Sequence, residues 1–134
     1  SAKYLSFYLY FMYNKKEGEI MKTRQEIITY CLTYQNVYED YPFSDTNWTC
    51  MRHHENHKIF AWIFERNGSI WVNVKGTKGW LDFFREKYKS VVPGYHLSKE
   101  HWNSIILDGT VDPKDIEIMI QESYDITLVK RKRK

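Results

Sequence analysis

The sequence predicts an α+β domain of two layers, an antiparallel sheet with helices on one face. Three observations predict it. The elements read in the order helix, three strands, helix, strand, helix. The pair Asn67-Gly68 separates two apolar runs, a hairpin signal that makes the flanking strands antiparallel. After it, Ile70, Val72 and Val74 alternate with Trp71, Asn73 and Lys75, so one strand face is destined for a core.

Residues 1–20 form an aromatic extension. Leu5, Phe7, Leu9 and Phe11 alternate with Tyr4, Ser6, Tyr8 and Tyr10, and a period of two with aromatic side chains predicts a strand. Such a strand is expected to pair with a sheet edge, its own or that of a second copy, which would make a homodimer. The run is too short to span a bilayer and lacks the basic start and small-residue cleavage site of a signal peptide. Lys16-Glu17-Gly18-Glu19-Ile20-Met21 back-translates to a purine-rich string before an ATG, the pattern of a bacterial ribosome-binding site. Met21 is therefore expected to be the natural start, with residues 3–20 a translated leader and Ser1-Ala2 a cloning remnant. The intact mass of the protein from its host checks this.

Thr23 is placed to cap a helix from Arg24 to about Tyr34, with Glu26 at the capping-box position. Ile27, Ile28, Cys31 and Leu32 share one face of it. Asn36 and Tyr38-Glu39-Asp40-Tyr41-Pro42 read as a loop, with Pro42 holding Tyr41 extended. Three strands follow, Trp48–Met51, Ile59–Glu65 and Ile70–Val74, the first two separated by a polar turn from His53 to His57. Thr77–Tyr88 reads as a helix with Trp80, Leu81, Phe84 and Tyr88 on one stripe, closed off by Pro93-Gly94. Ser104–Leu107 is a strand ended by the turn Asp108-Gly109. Asp112 or Pro113 opens a last helix to about Tyr124, with Ile116, Met119 and Ile120 as its core face. Residues 21–129 thus form one domain, followed by the tail Lys130-Arg131-Lys132-Arg133-Lys134.

Composition excludes several function classes. With 43% hydrophobic and 28% charged residues in 134, the chain is a folded domain rather than a disordered tail. No apolar run reaches the roughly 18 residues of a membrane span, so no membrane partner is expected. Two cysteines, Cys31 and Cys50, exclude a disulfide-dense scaffold and point to a reducing, cytoplasmic compartment. The formal charge is +3, but removing the five positive charges of the tail leaves −2 for residues 1–129. The tail reads either as a basic arm for phosphates or as a solvated end.

Few residues carry a chemical signal. His53-His54-Glu55-Asn56-His57 misses the zincin spacing by one residue and sits at a turn, so it reads as a solvated turn and no metal is expected. There is no G-x-S-x-G elbow, no C-x-x-C pair, no Walker A loop and no G-x-G-x-x-G. Cys31 reads as core. The expectation is a non-enzymatic protein without a cofactor. Gly76-Thr77-Lys78-Gly79 opens a helix whose N-terminus suits an anion. The densest stretch is Pro93-Gly94-Tyr95-His96-Leu97-Ser98-Lys99-Glu100-His101-Trp102, which puts two His, a Lys, a Tyr and a Trp in one loop. Its rings suit stacking on a base; the plainer reading has them satisfying loop carbonyls and plugging the core.

That stretch, continued by Asn103-Ser104 and by Leu107-Asp108-Gly109, resembles the signature P-G-Y-H-[LM]-N-K-x-H-W-N-[ST] and the L-D-G turn of the MmcQ/YjbR family of small bacterial proteins. Glu39-Asp40-Tyr41-Pro42-Phe43, Asn73-Val74-Lys75 and Ser123-Tyr124-Asp125 add to the resemblance, which spans about Met21 to Lys130. Ser98 stands where the family has Asn, and the segment before Met21 lies outside the pattern. The resemblance implies a two-layer α+β fold similar to secretion chaperones and frataxin-like domains. It also implies DNA binding, the usual label of the family. The candidate surface is then Lys75, Lys78, Tyr95, His96, Lys99, His101 and Trp102, with lysines and tail on phosphates and Trp102 or Tyr95 stacking. Two alternatives stand beside it: a protein-interaction or chaperone-like module, and a small-molecule pocket around Trp102, His101 and Tyr95.

Overall fold

The structure, a computed structural model, describes residues 3–6, 9 and 21–128. Three helices and six strands are placed between residues 21 and 128. They are α1 (Arg24–Cys31), β1 (Val37–Asp40), β2 (Thr49–His53), β3 (Ile59–Arg66), β4 (Ser69–Lys75), α2 (Lys78–Lys87), β5 (Val91–Pro93), β6 (Trp102–Ile106) and α3 (Pro113–Thr127). The strands form one sheet in the order β1-β2-β3-β4-β6-β5, every neighbouring pair antiparallel. This is the expected α+β class. No helix among the described residues is long and apolar enough to cross a membrane.

The helix ends follow local chemistry. Thr23 Oγ1 accepts from the Glu26 amide and the Glu26 carboxylate accepts from the Thr23 amide, the complete capping box. Asp112 caps α3 through the Lys114 amide, with Pro113 in the first turn. Thr77 holds the N-cap position of α2 but makes no side-chain capping bond. The β3–β4 turn has Asn67 at φ 53° and Gly68 at φ 79°, the paired positive angles that a two-residue hairpin needs.

Ile27, Ile28 and Cys31 of α1, Phe84 of α2, and Ile116, Met119 and Ile120 of α3 pack with Met51, Ile63, Val72, Val74 and Ile105 of the sheet in one core. Met21 is buried in the same core. Alternation puts these sheet residues on a single face, so all three helices cover that face. One irregularity shapes the other. Met51 pairs with Ala61 but Arg52 pairs with Ile59, which leaves Phe60 as an extra residue in β3. Phe60, Ala61 and Ile63 all enter the helix-side core. Trp62 and Phe64 turn to the opposite face.

Four expectations are corrected. Residues 3–6 and 9 are helical, so the aromatic extension supplies no edge-pairing strand there; its residues 7, 8 and 10–20 lie outside the described residues. Val37–Asp40, read as loop, is β1, and Val91–Pro93 is β5. These two are the edges of the sheet. Edge strands need pairing on one side only, so they tolerate short, polar or proline-containing sequence. Third, α1 stops at Cys31, three residues early. Fourth, His53 is no part of a solvated turn. It ends β2, is buried, and bonds Thr127 Oγ1 through Nε2 at 2.7 Å. His54 and His57 beyond it lie against Tyr38. The basic tail lies outside the described residues.

Candidate functional site

The loop between β5 and β6, residues 94–101, carries most of the candidate residues. It is tied down along its length. The Gly94 amide donates to the Trp102 carbonyl at 2.8 Å, and the amides of His101 and Trp102 donate to the Ser98 carbonyl at 3.2 and 3.0 Å. The Gly76 amide donates to the His101 carbonyl at 3.0 Å, fixing the loop to the end of β4. Arg85 of α2 donates to the Lys99 and Trp102 carbonyls and to Asn103 Oδ1. Buried Asn73 donates to the Tyr95 carbonyl at 2.9 Å and accepts from Ser104 Oγ, which itself accepts from the Tyr95 amide at 2.8 Å. The loop is thus a rigid insert, with backbone groups satisfied by buried side chains.

The tethers turn its two halves to different places. Lys99 and His101 face Lys78 and Arg85 across a cleft of about 800 Å³, which Gly76, Thr77, Leu81, Asp82 and Glu100 complete. Lys78 donates to Asp82 at 2.7 Å, and this bond holds the Asp82 carboxyl below its ordinary pKa. Lys99 Nζ donates to the Gly94 carbonyl at 3.3 Å. Three cations and two carboxylates line the cleft, a small positive excess.

Tyr95 and His96 instead lie over the sheet face that the helices leave open. With Leu97, Phe43, Trp48 and Trp62 they line a cleft of about 330 Å³. Trp62 and Phe43 stack with planes 8° apart and centroids 5.9 Å apart, and Trp48 stands edge-on to Trp62 at 83°. Trp48 is backed by Phe64 at 4.2 Å. The Arg66 guanidinium lies 4.8 and 4.3 Å from the ring centroids of Trp71 and Tyr95. His96 has φ 63°, a left-handed conformation uncommon outside glycine.

Lys75 and Trp102 join neither group. Lys75 ends β4, its amide donates to Ser123 Oγ at 2.9 Å, and its side chain borders a small hollow with Trp80, Phe84 and Ile118. Trp102 lies opposite Lys75 in the β4–β6 register and packs over Gly94. The expected single surface is therefore split into Lys78, Lys99 and His101 on one side and Tyr95 and His96 on the other. Phe43, Trp48 and Trp62 were missed as site residues. Trp62 alternates with Ala61 and Ile63 in β3, but Phe60, which shares its parity, is the extra residue and faces the helices; Phe43 and Trp48 lie in the β1–β2 connection, where no strand period marks them.

Neither thiol is poised as a nucleophile. Burial pushes Cys50 up to about 11 and Cys31 higher still. Among the described residues, no three His, Cys, Asp or Glu side chains gather as metal ligands.

The YjbR family model matches residues 32–126. The Bacillus subtilis protein YyaQ is 30% identical over 118 residues, covering 80% of this chain and 99% of that one. YjbR of Escherichia coli K12 is 26% identical over 106 residues, covering 76% and 84%. Both are named as uncharacterized proteins. A crystal structure of Deinococcus radiodurans DR2400 superposes with a TM-score of 0.73 at 24% identity, covering 80% of this chain and 79% of that one. A Pseudomonas syringae protein gives 0.70 at 24%, covering 79% and 99%. These two likenesses repeat the fold. The family match spans the meander, the signature loop and most of α3, and on it the chain belongs to the YjbR family.

Proposed function

We propose that the protein is a non-enzymatic, cytoplasmic nucleic-acid-binding protein that grips phosphates in the cleft between the start of α2 and the second half of the signature loop. One observation carries the reading. Lys78 and Lys99, 21 positions apart in the sequence, line one cleft together with His101. The amides of the first turn of α2 lie beside them, where an anion is favoured. Arg85 is committed to loop carbonyls and acts as scaffold. Asp82 and Glu100 keep the local charge small, so binding draws on few phosphates and adds to what the basic tail supplies.

Fluorescence anisotropy with a labelled duplex and a labelled single strand, across a salt series, tests the reading. The full chain is compared with K78A, K99A and a full-length variant whose Lys130–Lys134 residues are Gln. Each lost phosphate contact lowers the duplex salt slope by about 0.9. If the tail variant retains binding and K99A weakens it with a shallower slope, the cleft is the site. Binding that vanishes with the tail alone overturns it.

A protein-interaction module is the second reading, and one observation favours it. Trp80 and Phe83 of α2 and Ile118 of α3 are each about half exposed. Light scattering of the full chain and of Trp80→Lys tests this: self-association that the substitution abolishes supports it, and a monomer in both removes the homodimer.

A further inference from the structure

We propose that the cleft of Phe43, Trp48, Trp62, Tyr95, His96 and Leu97 binds a neutral, planar aromatic small molecule bearing one hydrogen-bonding group. The site lies on the sheet face away from the helices and does not depend on the nucleic-acid reading.

Charge comes first. None of the six lining residues is Lys, Arg, Asp or Glu. The cation beside them, Arg66, sits over the rings of Trp71 and Tyr95. An anion would lose its hydration with no opposite charge in the lining to replace it, and a cation would lie beside the Arg66 guanidinium that already covers the Tyr95 ring, so the complementary ligand is neutral.

Shape narrows the class. Phe43 and Trp62 stack with nearly parallel planes, 8° apart, and Trp48 stands at 83° to Trp62. A flat ring laid parallel to Trp62 turns its edge to Trp48, so it gains stacked and edge-to-face contacts at once. A saturated ligand of equal volume gains neither. About 330 Å³ is at the small end of ligand pockets, which suits one fused ring system.

The walls are held before any ligand arrives. Phe64 backs Trp48 at 4.2 Å. The Asn73 and Ser104 side chains hold both backbone groups of Tyr95. Such support reduces the ordering cost of binding.

His96 supplies the polar group. Its backbone is held left-handed at φ 63°, and strain of this kind gathers at ligand sites. Its imidazole is exposed at the cleft and makes no side-chain hydrogen bond among the described residues.

The test is an NMR titration of the full-length protein with 2-naphthol, its saturated analogue 2-decalol, naphthalene and 2-naphthalenesulfonate. Saturable shifts at the Tyr95–Leu97 amides are expected with 2-naphthol, and binding at least tenfold weaker with 2-decalol and the sulfonate. Phe43→Ala and Trp62→Ala should each weaken 2-naphthol at least tenfold. His96→Ala should reduce the advantage of 2-naphthol over naphthalene. Phe43 is half exposed, so its removal leaves the fold intact even if Trp62→Ala does not. Equal binding of 2-decalol, no saturable shift, or unchanged affinity in Phe43→Ala overturns the proposal.

Discussion

Gly94 and Trp102 are in direct backbone contact: a Cβ built on Gly94 comes 2.7 Å from the Trp102 Cβ and 3.0 Å from its carbonyl oxygen. The Gly94 amide donates to that same carbonyl at 2.8 Å. Two ends of the signature loop are thus clamped at a spacing that admits only a hydrogen side chain.

Gly94→Ala is therefore expected to destabilise the fold by about 1–3 kcal/mol, the usual cost of overpacking a tight contact. The atoms it meets are a Cβ and backbone, which cannot swing aside as a flexible side-chain end would. Urea unfolding of the two proteins measures the difference. An unchanged midpoint would mean the loop relaxes freely and is not clamped.

Asn73→Ala should cost about 1–3 kcal/mol and also loosen the aromatic cleft. The substitution strands the Tyr95 carbonyl, which accepts from Asn73, and the Ser104 hydroxyl proton, which Asn73 Oδ1 accepts. Amide hydrogen exchange should rise at residues 95–97 more than in β3. Uniform change across the sheet would show that Asn73 supports the core alone.

Stability should fall as pH drops below about 6.5, and His53 should account for much of the fall. Burial lowers the His53 pKa from 6.5, opposed by the Tyr124 backbone and Glu55 and aided by Lys58. The Thr127 hydroxyl donates to the Ser123 carbonyl at 2.7 Å, so its oxygen accepts from His53 Nε2–H and the buried Nδ1 is left without a partner. The unfolded chain takes up the proton first. The stabilisation is complete above 6.5 and is lost as pH falls toward the lower folded value. Asp108 and Asp115, held below 3.8 by hydroxyl partners and Lys87 against the opposing effect of burial, add their loss only in the carboxylate range. Thermal unfolding between pH 7.5 and 5 should slope for the natural protein and flatten in His53→Gln. A slope that survives the substitution places the titration elsewhere.

A thiol reagent should label neither cysteine in the folded protein at pH 7 and both after denaturation. Both side chains are buried and both thiols are held protonated. Rapid native labelling of Cys50 would show that β2 opens toward the aromatic face.

Much of the fold was legible because its signals are local. Thr23 with Glu26, Asp112 with Pro113, and Asn67-Gly68 each act within four residues, and the structure places all three where the spacing puts them. The core faces of α1, β4 and α3 follow from periodicity, since one face of each meets the same core. What stayed hidden depends on partners far along the chain. Val37–Asp40 and Val91–Pro93 become strands because β2 and β6 offer them free edges. His53 looks like a turn residue until Thr127, 74 positions later, closes over it.

Local pattern is enough to give the class of the fold, the residues that cap and punctuate it, and the loop that gathers most of the candidate residues. Where those residues point is set by contacts between distant parts of the chain. One extra residue at Phe60 changes which side chains of β3 face the helices, and Asn73 and Arg85 pull the loop toward opposite sides. Periodicity reads a face from neighbours two or four positions apart. A bulge or a long-range hydrogen bond shifts that face at no cost in local pattern, so the division of Tyr95 and His96 from Lys99 and His101 is set only when the sheet closes.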